Sequence, residues 1–451
     1  MTPDPDFLAR LRAEMRGGRR WLDRTIVLGY AILAGLAIVG ISIASDWAFG
    51  GFRWLFARWP YAVLVVTPAL TGGIVWATLR FFPGAGGSGI QHVKAAIDPD
   101  LAPGKESAFV SMRLTIAKIG LTVAGFLGGL SIGREGPSVQ VAAGVMQHAR
   151  RWLSPGSTID ARALLIAGGA AGIAGAFNAP LAGVVFAIEE LSGRLEARSS
   201  GLIMAAIVLA GLVAVSVFGN QSYFGVIRVP RLGWDALWPG LAIAVLAGAA
   251  GGVFSRLLIA SLTGAPGRLN RLRARFPVRF AMACGLAIAV IGLATGGVTF
   301  GSGSEAVKEM LRGDVRMTPM STLLKFVATW LTAWSGAPGG IFAPSLAIGA
   351  GIGDAVAQFA ATDLGPALIA IGMAAFLAGV TQAPLTSFII VMEMIDGHAM
   401  VLSLMTAAML ASLISHMITR PLYEAMAEYL VAMANGPKPP ASNPPEDPPP
   451  R

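Results

Sequence analysis

Charge is scarce in this chain. Only 13% of its 451 residues are Asp, Glu, Lys or Arg, where a soluble protein carries about a quarter, and that scarcity excludes an ordinary water-solvated globule. Cysteine is almost absent. Cys284 stands alone in an apolar run, so there is no disulfide framework and no cysteine metal site. The histidines His92, His148, His398 and His416 are scattered, with no pair at metal-ligand spacing, and no metal or other cofactor is expected. A cleavable leader is not expected either. The first 24 residues hold six arginines and no short apolar core ending in small residues.

Apolar sequence is plentiful: 55% of residues are hydrophobic. Stretches able to cross about 30 Å of hydrocarbon recur at 25–45, 61–82, 109–130, 201–218, 237–262, 280–297 and 401–418. The chain reads as a polytopic α-helical membrane protein, with membrane lipid as its surroundings. Glycine is abundant, 57 residues, many inside the apolar stretches. In lipid, small residues let helix backbones approach closely, so a tightly packed bundle is expected. The net charge of +9 falls at span ends and reads as positive-inside loops, not as nucleic-acid binding.

Residues 1–24 form a basic tail, expected to be cytoplasmic. Residues 434–451 are Pro-rich and expected to be disordered, leaving 25–433 as one transmembrane domain with no folded regulatory domain after it. Within that domain lies an internal repeat. Gly168, Ala179, Pro180, Leu181 and Glu189 recur as Gly372, Ala383, Pro384, Leu385 and Glu393, an offset of 204 (384 − 180). Upstream, Lys118, Thr122, Gly133, Pro137 and Ser138 recur as Lys325, Thr329, Gly340, Pro344 and Ser345, an offset of 207 (344 − 137). Further upstream, Gly87-Ser88-Gly89 and Val93-Lys94 recur as Gly301-Ser302-Gly303 and Val307-Lys308, an offset of 214 (302 − 88). The repeats extend over about 61–195 and 278–398. Arginine bias puts the N-terminal tail and the 264–279 linker on the cytoplasmic side, with both termini inside. The run 61–82 then travels inward and its partner 280–297 outward, so the copies are inverted; Arg53 and Arg58 on the intervening outer loop run against this. Inverted repeats place a substrate site at the midplane, at broken helices.

Three breaks stand out. Gly133-Arg134-Glu135-Gly136-Pro137 separates two apolar stretches, the second opening near Pro137, as proline tolerates a first helical turn. Gly340-Ile341-Phe342-Ala343-Pro344 repeats the device, and Gly86-Gly87-Ser88-Gly89-Ile90 offers a third helix start with a hydroxyl. Free N–H groups at helix N-termini bind anions. Three converging starts would hold an anion without a full positive charge, which would bind too tightly for rapid release. Glu135 is an ionisable side chain at membrane depth, costly there and hence functional. Beside such N-termini its carboxylate and the anion compete for one place.

These motifs, in this order, resemble the GSGIP, GREGP and GxFxP signatures of the CLC family of chloride channels and chloride/proton antiporters, over residues 25–433. The resemblance implies a CLC-like inverted-repeat helical bundle with broken and re-entrant helices, of the bacterial type, in an inner (plasma) membrane. It implies a homodimer with one pathway per subunit, exchanging chloride for protons, with no enzymatic activity. By match, Ser88, the backbone N–H groups of Ile341 and Phe342, and Tyr423 of Arg420-Pro421-Leu422-Tyr423 would hold chloride. Read without the family, Tyr423 is an interfacial aromatic. Glu135 would be the external gate and proton acceptor, Glu190 the internal proton-transfer group. Arg134 reads as structural, facing water or backbone carbonyls. Glu189, with its repeat counterpart Glu393, suggests fold or capping; Glu190 faces Met394 in the repeat.

The chain departs from the family at Gln91, which replaces a proline, and at His92 and Lys94, where acids are common. A cation near Glu190 would weaken a proton relay. A passive voltage- or proton-gated chloride channel is the alternative of the same fold, although such channels commonly lack the acid at Glu190. An intramembrane hydrolase using Ser302 or Ser304 has no recognisable histidine partner, and the repeat of Ser88 already accounts for those serines.

Overall fold

The computed structural model describes residues 18–157, 159–192, 200–219, 222–226, 234–360 and 364–436. Most of the N-terminal tail and of the Pro-rich C-terminal tail lies outside them. Helix α1 (Gly18–Arg58) leads into a first series: α2 (Val63–Phe81), α3 (Ile90–Ala96), α4 (Met112–Leu127), α5 (Glu135–His148), α6 (Ala161–Phe177) and α7 (Pro180–Phe186). The last runs on into a π-helical turn, Ala187–Ser192. Then come α8 (Ser200–Phe218), α9 (Leu237–Leu262) and the short basic α10 (Arg268–Arg275). The second series is α11 (Pro277–Ala294), α12 (Ser304–Arg312), α13 (Pro319–Ser335), α14 (Phe342–Phe359), α15 (Gly365–Thr381) and α16 (Pro384–Met394). Helices α17 (Val401–His416) and α18 (Leu422–Asn435) follow.

The two series match element by element at the three sequence offsets. Helices α11 and α12 start 214 residues after α2 and α3 (277 − 63, 304 − 90). The interval is 207 for α13 and α14 against α4 and α5 (319 − 112, 342 − 135), and 204 for α15 and α16 against α6 and α7 (365 − 161, 384 − 180). Even an uncommon backbone state is shared. Asn178 after α6 and Gln382 after α15 are left-handed, at φ 54° and 59°, so each helix ends on an αL cap. Proline at the first position of α7, α11, α13 and α16 starts each helix where a missing N–H costs nothing.

Among the described residues, seven helices are long and apolar enough to cross a membrane, and each contains or overlaps one of the seven apolar stretches. The first is longer than its stretch 25–45. Helix α1 has 41 residues, about 60 Å at 1.5 Å per residue, because the polar flanks at both ends are helical too. Arg53 and Arg58 therefore sit on the last turns of α1, not on a loop. Helices α6, α15 and α16 are apolar but shorter, and α6 and α15 are buried almost throughout. They pack against α5 and α14 respectively. The closeness depends on small residues: a Cβ on Gly172 would come within 2.6 Å of the Val139 backbone nitrogen.

The halves also brace each other. Glu189 accepts hydrogen bonds from the Leu385 and Thr386 N–H groups at 3.0 and 2.6 Å, in the first turn of α16. Glu393 accepts from Leu181 and Ala182 at 3.2 and 2.7 Å, in the first turn of α7. Each carboxylate caps the other half's helix, so Glu189 is a capping group as its repeat suggests. Helix α7 stops at Phe186, and the π turn carries Glu189 and Glu190.

Candidate functional site

Helices α3, α5 and α14 all begin at one buried place. Gly133 and Gly340 exchange backbone hydrogen bonds, N–H to carbonyl at 2.8 Å in each direction. The Gly339 N–H donates to the Gly87 carbonyl at 3.1 Å, which ties in the third break. Gly136 is required by this convergence. A Cβ there would collide with the Ser88 hydroxyl and stand 3.2 Å from the Gly340 Cα. Helix α5 starts at Glu135 rather than at Pro137, so the glutamate occupies the first helical position. Helix α14 starts at Phe342 with Ile341 as its cap residue. The first N–H groups of each helix have no acceptor within it.

Two fully buried lysines fix the loops that lead into the breaks. Lys118 Nζ donates to the carbonyls of Ala85 and Gly87 at 2.9 and 2.6 Å, and Lys325 Nζ to those of Thr299 and Gly301 at 3.0 and 2.7 Å. The carbonyls are 214 apart (299 − 85, 301 − 87) and the lysines 207 apart (325 − 118). Their recurrence at a repeat offset was the available signal for this role, which motif reading alone passed over. Gln91 compensates for the absent proline differently: its Oε1 accepts from the Gly89 N–H at 3.2 Å, folding back over the start of α3.

The structure brings Ser88, Phe342, Tyr423 and Glu135 together. Glu135 is buried, its carboxylate within reach of its own N–H and that of Ala343, while its Oε2 has no hydrogen-bond partner. The hydroxyls of Ser88 and Tyr423 are also buried and without a partner that meets hydrogen-bond geometry, although they lie close to each other. Tyr423 is 1% exposed and its ring lies 6.2 Å from that of Phe342. That burial overturns the reading of Tyr423 as an interfacial aromatic. Its hydroxyl is within electrostatic reach of both Glu135 and Glu190.

Glu190 sits apart from this cluster, on the π turn, and forms an ion pair with Lys94 at 2.8 Å. The cation expected near Glu190 is therefore in direct contact with it. His92 on the same helix is buried against Phe109. Arg134 points away from the cluster, donating to the Ser42 carbonyl at 3.0 Å and to Asp46 at 2.7 Å. The carbonyl contact fits its structural reading, and the acid partner was not legible because Asp46 lies 88 residues away (134 − 46). A cavity of about 550 Å³ opens from Glu135 past Arg134, Tyr223 and Lys308.

Residues 69–416 match the family described as voltage gated chloride channel. The chain is 29% identical to the H(+)/Cl(-) exchange transporter ClcA of Salmonella arizonae, over 94% of each protein. It is 32% identical to ClcA of Cronobacter sakazakii, over 87% of this chain and 86% of that one. In structure it resembles a slow cyanobacterial Cl-/H+ antiporter, with a TM-score of 0.77 and 25% identity, covering 92% of this chain and 99% of that one. A eukaryotic CLC transporter shares the fold at a TM-score of 0.71 and 24% identity, covering 91% of this chain and 75% of the other. With three helix starts joined at one buried point and a family match across most of its helices, this chain is a member of the CLC family, the voltage-gated chloride channel family.

Proposed function

We propose that this protein exchanges chloride for protons across a membrane. The observation that carries the reading is the position of Glu135: a buried carboxylate beside the first N–H groups of α5 and α14, in reach of the Ala343 N–H. An anion drawn to those N–H groups needs the place the carboxylate holds. Protonation neutralises the side chain and lets it leave, so proton uptake at Glu135 and entry of an anion are linked. Ser88, Tyr423 and the N–H groups of Ile341 and Phe342 hold the central chloride; Glu190 passes protons to the opposite face. The presence of an acid at Glu190, and the exchange activity named for the ClcA relatives, support coupled exchange over a passive channel.

The working unit is a single transmembrane domain of two inverted halves, about 61–195 and 278–398, assembled as a homodimer with one pathway per subunit. Both termini face the cytoplasm of a bacterial cell, by the arginine bias of the N-terminal segment and of α10. The test is proton flux in liposomes containing the purified protein, with a chloride gradient as the only driving force. Protons moving against their own gradient support exchange; chloride flux without them means a channel or an uncoupled carrier.

A further inference from the structure

Lys94 is anchored more firmly than a surface lysine. It lies in the last turn of α3, only seven residues long, whose other end frames Ser88. That helix packs against α18, α5 and α6, and the loop before it is held by Lys118. The short helix thus joins the anion cluster at one end to an ion pair at the other. The Lys94 side chain is 23% exposed and that of Glu190 7%, so the lysine is the partner open to water.

Among the described residues, no other titratable group forms an ion pair with Lys94. Glu189, beside it on the π turn, is committed to the α16 cap. From α18, Glu424 is exposed and Tyr423 belongs to the anion cluster. On α3, His92 is buried against Phe109. Among the described residues, Glu190 alone forms an ion pair with Lys94.

Resting on the exchange reading above, we propose that Lys94 is a conditional anion attractor: engaged while Glu190 is charged, and released toward incoming chloride when Glu190 takes up a proton. One proton passes from water onto the Glu190 carboxylate, no other bond changes, and Lys94 remains an ammonium. The pair goes from neutral to a single positive charge, in surroundings where a charge acts more strongly than in water. Chloride arriving from the same face restores neutrality, and loss of the proton expels it. Lys94 positions the anion at the entrance rather than binding it centrally, and it makes proton loading and chloride entry favour each other.

The experiment measures chloride flux in oriented liposomes, varying chloride and pH only on the Lys94 face. For the wild type, the half-saturating chloride concentration should fall several-fold as that face is acidified. Lys94→Met should remove this dependence and hold half-saturation at the high value, whereas Lys94→Arg should retain it. Glu190→Gln should fix the low value at every pH, and adding Lys94→Met to it should raise the value again. A wild-type pH dependence surviving in Lys94→Met, or a Glu190→Gln protein indifferent to loss of Lys94, would overturn the proposal and leave Lys94 a structural tether. The exchange reading fails separately, through absence of uphill protons in the wild type, because chloride half-saturation is read without reference to proton flux.

Discussion

At the scale of single residues, Glu135 and Ser88 bear the sharpest expectations. Glu135→Gln keeps the shape of the side chain and removes its charge, so it mimics the protonated, displaced state permanently. Proton movement should vanish while chloride flux persists, measured together in one liposome preparation; retained proton flux would move the proton acceptor elsewhere. Ser88 offers its hydroxyl from a loop locked by Lys118 and pressed against Gly136. Ser88→Pro should raise nitrate preference over chloride in competition flux assays. Unchanged selectivity would place Ser88 away from the ion.

Elements are coupled through their ends. Glu189 and Glu393 each satisfy two first-turn N–H groups of a helix in the opposite half, and leaving such donors without a cap costs about 0.5–2 kcal/mol. Glu189→Ala and Glu393→Ala should therefore each lower the thermal unfolding midpoint in detergent, by similar amounts since the two sites are equivalent. Chloride flux at low temperature should change little. A drop in only one variant would show that the braces are not equivalent.

This is also the scale at which the sequence was most and least legible. The breaks at Gly133 and Gly340 and the helix start after Gly86 could be read because glycine, proline and a recurring offset mark backbone that cannot continue a membrane helix. Contacts made by side chains across the bundle could not. Arg134 with Asp46, or Tyr423 beneath Phe342, depends on how helices far apart in sequence are packed. The length of α1 escaped for another reason. Its polar ends break the hydropathy pattern, though helical hydrogen bonding continues through them.

For the whole molecule, orientation is the open quantity with a direct test. Cys284 is buried, so a single introduced thiol would report alone. Leu269 on the basic α10 is 56% exposed, and Leu269→Cys in intact cells should resist a membrane-impermeant maleimide until the membrane is opened. Labelling from outside would reverse the assigned topology and exchange the two faces of the pathway, without altering the paired helix starts at its centre.

Those helix starts also constrain how the protein is made. The Gly133 N–H and carbonyl are both completed by Gly340, which leaves the ribosome 207 residues later (340 − 133). At a synthesis rate of about 5–20 residues per second, the first half waits on the order of 10–40 seconds in the bilayer with its central break unpaired. Lipid offers no substitute partner for those groups. A truncated chain ending before residue 340 should therefore remain a client of the insertion machinery or of membrane proteases, and the ion pathway comes into existence only when the second half closes on the first.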